Sequence, residues 1–279
     1  MMKNHNLLMN SIVLILALVF AFAIAFTTCS NPAGFVGGTG TPDTAWYDNA
    51  APGQTEFTIS TADKLAGLAV IVNGFSSFSG KTVKLLSNIS LSVYGAGKDF
   101  NDGMGWIPIG GSFSFFNGKF DGNGKTITGL SINDAPSKYQ GLFSTIYSGG
   151  EVKNLTLNDV NIYCTSDYIG GVVGYLMGYA TVKNCVALNY SISGTGNIGR
   201  VIGSSYLFGG VLNSYGKSDI PGGPWTPGGN NGTDISPSGA ENTKEWWVNG
   251  ATDDPPGPGF DFENVWKMSG GENSLPVFK

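Results

Sequence analysis

Between Gly141 and Gly216 short apolar runs alternate with glycine and asparagine in a phrase that occurs three times. Each copy opens on a glycine–hydrophobic stretch: Gly141-Leu142-Phe143, Gly170-Gly171-Val172-Val173-Gly174 and Gly199-Arg200-Val201-Ile202-Gly203. About ten residues on comes a β-type run holding an asparagine: Val152-Lys153-Asn154-Leu155, Val182-Lys183-Asn184-Cys185 and Val211-Leu212-Asn213-Ser214. The glycines step by 29 and 29 residues and the asparagines by 30 and 29. Two landmarks with one period, set in short strands and glycine turns, predict stacked rungs, because no single repeat buries its apolar face alone.

Like residues of successive parallel rungs stand about 4.8 Å apart. Leu155, Cys185 and Ser214 should then form one column and Asn154, Asn184 and Asn213 another. The asparagines would either pass amide hydrogen bonds from rung to rung or turn the chain at a corner. Five rungs would make a rod on the order of 24 Å long.

Two less regular rungs are expected before the phrases, with Gly80–Leu91 opening the first and Gly124–Ile132 lying within the second. Trp106–Gly110 and Phe113–Phe116 read as inward-facing strands, and Val93–Gly105 reads as a loop insertion. Ahead of them Phe57-Thr58-Ile59 alternates as a strand. The stretch Ser60–Gly74 then predicts one helix, with Ser60 or Thr61 as N-cap, Asp63 in the first turn and Leu65, Leu68, Ala69 and Val72 on one face. A helix here would shield the first rung as a lid.

The N-terminus has a different pattern. Lys3 and His5 precede an apolar run from Leu7 to Phe26, closed by Thr27-Thr28-Cys29-Ser30, which is the layout of a secretory signal. The cysteine at the exit resembles a bacterial lipoprotein signal, which implies that Cys29 is lipidated and becomes the first mature residue. Ordinary cleavage and an uncleaved anchor are the other readings, since about 20 apolar residues can just span a bilayer. Residues 29–55, rich in Gly, Pro, Thr and Ala, read as a flexible tether, with Trp46-Tyr47 folding back on the first rung or exposed as a binding pair.

Composition narrows the chemistry. With 43 glycines, 12% aromatic and 13% charged residues in 279, the chain suits many short strands between tight turns. Its net charge of −5 and single arginine disfavour a nucleic-acid partner. The sole histidine is His5, within the leader, so the mature chain has no imidazole for a nucleophile or a zinc site. Cys164 matches Gly194 in the repeat register while Cys185 matches Leu155, which favours two separate thiols over a disulfide. Asp121-Gly122-Asn123-Gly124 and Asp99-Phe100-Asn101-Asp102-Gly103 read as tight turns, with calcium binding the alternative. Asp99, Asp121, Asp159 and Asp167 do not recur at the repeat spacing, as a pair of catalytic acids on one face would require. Arg200, 33 residues from Asp167, is expected to form a surface ion pair with it. No catalytic residue, cofactor or metal is expected.

Together, Thr61–Gly74, the Trp-x-Pro-Ile-Gly of Trp106–Gly110, the Phe-Asp-Gly-Asn-Gly-Lys-Thr-Ile of Phe120–Ile127, the Gly-Leu-Phe at Gly141 and the Val-Lys-Asn-Leu runs resemble the GLUG-motif proteins of bacterial surfaces. The likeness covers Phe57 to Tyr215. Gly171-Val172-Val173-Gly174 keeps the full phrase, while Ser144 and Arg200 depart from it. The resemblance implies an all-β, right-handed parallel β-helix, surface attachment and a role in adhesion.

After Tyr215 the period stops. Residues 219–279 read as an irregular C-terminal cap, with Phe262, Trp266, Leu275 and Val277 laid over the last rung. Alternatively, Trp225, Trp246 and Trp247 form a stacking platform for sugar rings. The whole is expected to comprise a leader (1–28), tether (29–55), N-terminal cap (56–77), repeats (78–218) and C-terminal cap. It would be exported, held at the bacterial membrane through lipid on Cys29, and would bind a glycan or protein without turnover. A polysaccharide-degrading enzyme and a purely structural envelope protein are the alternatives.

Overall fold

The computed structural model describes residues 34–134, 136–221, 223 and 225–235, and the backbone of two short strands at 266–268 and 276–278. The leader, Cys29, Trp246, Trp247, Phe262 and Leu275 lie outside the described residues. In chain order the N-terminal half holds β1 (Phe35–Val36), helix α1 (Ala45–Asp48), β2 (Glu56–Ile59), helix α2 (Ala62–Asn73), β3 (Thr82–Leu85), β4 (Asn88–Ser90), β5 (Lys119–Thr128) and β6 (Ser131–Asn133). The three phrases give β7 (Phe143–Ile146) and β8 (Glu151–Tyr163), then β9 (Ile169–Gly170), β10 (Val173–Met177) and β11 (Thr181–Ser193), then β12 (Ile198–Gly199), β13 (Ile202–Tyr206), β14 (Gly210–Leu212) and β15 (Tyr215–Lys217). After them come β16 (Thr233–Ile235), β17 (Trp266–Met268) and β18 (Pro276–Phe278).

The protein is mostly β, and its rungs are parallel. Successive repeats lay like strands side by side: Phe143, Val173 and Ile202 in a three-stranded sheet, Ile169 and Ile198 in a two-stranded one, and Val152 with Val182 and Ile162 with Ile192 in the long sheet. The strands bend where the two-residue alternation slips. Val152 and Leu155 both point inward because Asn154 between them takes φ 53°. Asp159 does the same between Leu157 and Val160. Each such residue turns the wall and keeps the apolar side facing in.

Asn154, Asn184 and Asn213 line up as adjacent corners, at φ 53°, 51° and 44°. Both expected roles hold at once, since Asn184 Nδ2 also donates to Asn154 Oδ1 (3.2 Å) and Asn154 Nδ2 to Asp121 Oδ1 (3.0 Å). Asp121-Gly122-Asn123-Gly124 is the same corner one rung earlier. Residues 122–124 stand opposite the single Asn154, with Asn123 and Gly124 at positive φ. The Asp121 carboxylate also accepts from the Asn123 amide at 2.8 Å.

The glycines of the repeated phrase mark a sharper corner. A Cβ on Gly170 would fall against the Val173 carbonyl and 2.5 Å from the Gly203 amide nitrogen, and one on Gly199 would meet the Ile202 carbonyl. There the chain doubles back too tightly for any side chain.

The N-terminal end differs from expectation. Helix α2 forms as predicted, with Thr61 Oγ1 accepting from the Lys64 amide (3.2 Å) and Leu65, Leu68 and Val72 fully buried. It is not the outermost layer. The segment read as a tether is folded across it from residue 34: β1 pairs with β4 and the Asp43 carbonyl sits where a Gly67 side chain would be, while Trp46 and Tyr47 fold back on Phe57 and Phe78 as expected. Composition misleads here because it does not show the partners of this segment, one carboxylate among them. Asp63 accepts from the amides of Thr39 (2.9 Å) and Gly40 (3.3 Å), from Thr39 Oγ1 (3.0 Å) and from the buried Tyr94 hydroxyl. Burial, then the bond to Asp63, pushes the Tyr94 phenol well above its ordinary range. Asp63→Ala should therefore cost about 2–3 kcal/mol through the stranded Tyr94 hydroxyl and lost amide partners. Limited proteolysis should show cleavage within 37–55 that wild type resists.

Further in, Phe116 is buried, whereas Phe113 is 86% exposed and not inward-facing. Cys164 and Cys185 are both free and buried. Burial pushes both thiols up to about 12. A thiol protonated in the fold but ionised in the unfolded chain adds stability below pH 9 that is lost as pH rises from 9 through 12. In the native protein Cys164 and Cys185 should resist iodoacetamide at pH 8 and label fully in urea, and urea midpoints should fall above pH 9.

Arg200 corrects a further expectation. It is fully buried and pairs with Asp234 (2.5 Å), not with Asp167 on the surface. Its guanidinium also donates to the carbonyls of Gly216 (3.0 Å), Lys217 (3.1 Å) and Gly232 (3.3 Å). Sequence spacing suggested Asp167 because it looked one rung back, while the true partner lies on β16, which pairs with β15. Strands β17 and β18 pair antiparallel, Trp266 opposite Phe278.

Candidate ligand-binding face

The outer side of the three-stranded sheet and the turns flanking it gather aromatic side chains from three rungs. Strands β7, β10 and β13 send Phe143, Ile146, Val173, Leu176 and Ile202 inward. Tyr175 and Met177 are half-buried and Tyr206 is exposed, with Met177 and Tyr206 side by side. In the turn before the sheet, Tyr139 and Tyr168 stack (centroids 5.0 Å apart, 21° between planes), and the Tyr175 ring lies 4.9 Å from that of Tyr168. In the turn after it, Tyr179 and Phe208 stack (5.1 Å, 16°), while Tyr147 lies over Gly178 and 5.5 Å from the Phe115 ring. Tyr179 is 67% exposed, Phe208 77% and Tyr206 56%.

The backbone under these rings is strained. Tyr139, Tyr168, Tyr179 and Phe208 take φ of 60°, 66°, 64° and 64°, a region where bulky residues are outliers and Gly or Asn is usual. Each such residue costs about 1–3 kcal/mol. One stacked pair returns only about 0.5–1.5 kcal/mol and is shared by two strained residues. Stacking alone thus does not offset the strain, and glycine or asparagine would serve the turns better. Burial, then the neighbouring phenols of Tyr168, Tyr139 and Tyr206, raises the Tyr175 hydroxyl above its ordinary range.

The residues singled out from sequence lie elsewhere. Trp225 is half-buried against the core, its indole N–H donating to the Ile220 carbonyl at 3.0 Å. The carboxylates are spread around the rung. Asp121 belongs to the asparagine corner and Asp159 to the next bend. Asp99 precedes the turn Phe100–Gly103. Asp167 accepts from Asn197 Nδ2 (3.0 Å) and the Tyr168 amide (2.9 Å); partial burial opposes its ionisation, but these bonds and that from the Asn197 amide hold its carboxyl below the usual range. Among the described residues no three His, Cys, Asp or Glu side chains are placed to hold a metal. The aromatic face was missed because the repeat was read through its glycines and asparagines. Its signal was present: Tyr139 and Tyr168, like Tyr179 and Phe208, are 29 residues apart.

Parallel rungs of one period, with a corner phrase only glycine can make, define a repeat protein. The family model of the GLUG motif matches residues 165–193, the middle copy. The chain is also similar to halomucin of Haloquadratum walsbyi, 31% identical over 170 residues, which are 61% of this chain and 2% of that protein. A putative Gly-rich membrane protein of Evansella cellulosilytica is 40% identical over 84 residues, 29% of this chain and 10% of that protein. The chain thus spans only a small part of either relative's length. No solved structure matches it significantly.

Proposed function

We propose that the rungs form a right-handed parallel β-helix, and that this helix is a non-catalytic binding module at the cell surface, exported by its leader and anchored through lipid on Cys29. The observation that carries the reading is the face of exposed aromatics held at positive φ across consecutive rungs. Strain retained where a smaller residue would relax it is expected of a surface selected for contact. Tyrosine-rich faces suit glycan and protein ligands alike, offering a flat apolar ring with a hydroxyl at its tip. Asp121 and Asp167 are engaged with neighbouring rungs, which suits a structural role for them. Surface placement is supported by the GLUG motif and by a relative named as a membrane protein.

Tyr179→Asn with Phe208→Asn provides the test, because asparagine tolerates the left-handed turn. The double variant should unfold at a urea concentration equal to or above that of wild type. It should also lose at least tenfold in affinity for whichever member of a glycan and envelope-protein panel the wild type binds. Unchanged binding, or release of reducing sugar by the wild type, would overturn the reading. Incorporation of labelled palmitate by wild type but not by Cys29→Ala tests the anchor.

A further inference from the structure

We infer that the ligand of this face is a negatively charged polysaccharide, with a sugar ring on the Tyr179–Phe208 pair and its acidic group on Lys183; the inference rests on the aromatic face being the binding face. The second outward positions of the wall strands form one column: Lys84, Asp121, Lys153, Lys183 and Leu212. Up to Lys153 the column is balanced. Lys84 and Lys153 flank Asp121, and Lys153 Nζ lies 3.3 Å from Glu151 Oε1. At Lys183 the balance fails. Its neighbours in the column are Lys153 and Leu212, it is exposed, and among the described residues it has no ion pair. Like charges opposed at about 4.8 Å across a sheet are unfavourable, so the exposed Lys183 ammonium lacks a paired counter-charge among the described residues.

That uncompensated cation and the most exposed rings of the aromatic face occur on the same rungs. Tyr179 precedes Lys183 by four residues, at most about 13 Å along an extended chain. Tyr179 stacks on Phe208 of the next rung. An apolar ring face beside an ammonium group matches a pyranose bearing a carboxylate or sulfate. It does not match a lipid surface, which would call for a broader basic patch. A nucleic-acid strand likewise needs clustered cations along its backbone.

The test compares binding of the folded, full-length mature protein to alginate, a polyuronate, with binding to neutral dextran. Alginate should bind at least tenfold more tightly at low salt, with the advantage shrinking as salt rises. Lys183→Gln should remove most of that advantage, leave dextran binding unchanged and keep the wild-type circular dichroism spectrum. Lys84→Gln, at the balanced end of the column, should change neither. Equal affinity for both polymers, with both lost in Tyr179→Asn/Phe208→Asn, would overturn the charge inference and leave the aromatic face standing. Polymer binding indifferent to that double variant would overturn both. Tighter binding to anionic phospholipid vesicles or to single-stranded DNA than to alginate would also overturn the choice of partner.

Discussion

Replacing Arg200 by alanine is expected to destabilise the last rungs by on the order of 3 kcal/mol, the low end of the range for a buried ion pair because the Asp234 side chain is 39% exposed. The side chain is fully buried, and its loss would leave Asp234 without its cation and the carbonyls of Gly216, Lys217 and Gly232 without their donor. Lysine should recover only part of this, since an ammonium group lacks the planar fork that reaches several acceptors at once. Urea unfolding should rank wild type above Arg200→Lys and that above Arg200→Ala. Hydrogen exchange should quicken first in residues 214–217 and 232–235. Equal midpoints for wild type and Arg200→Ala would show that the closure does not depend on this side chain.

The second large effect is expected at the glycine corner. Gly170→Ala places a methyl group against the Val173 carbonyl of its own rung and 2.5 Å from the Gly203 nitrogen of the next, both backbone atoms that cannot rotate away. The cost should sit at the upper end of overpacking, about 3 kcal/mol. Gly210→Ala is the control, since no atom lies within 4 Å of a Cβ built there. It should change the urea midpoint little.

Much of the fold was legible because the repeat writes itself in residues with narrow backbone options. Asn154, Asn184 and Asn213 gave the period and fixed the register, and pairings such as Cys185 with Leu155 followed from counting. The helix at Thr61 was legible from its cap. What the sequence hid were contacts whose partners share no spacing. Asp63 looked like a first-turn acid and is the post to which residues 39–40 and Tyr94 are tied. Arg200 looked like an interruption of the motif and joins β16 to the repeats. The candidate site was hidden for another reason: aromatics at positive φ violate the usual residue preference for such turns, so a search for glycine and asparagine passes over them.

The placement of Asp63 and Arg200 near opposite ends of the stack bears on how such a chain could change length. Each locks its terminal rungs through contacts that an added copy in the middle would leave alone, and the asparagine corners give any such copy its own register. A duplicated unit inserted after Asn154 would therefore find ready neighbours above and below. Lengthening from the interior is the economical way for this architecture to diversify.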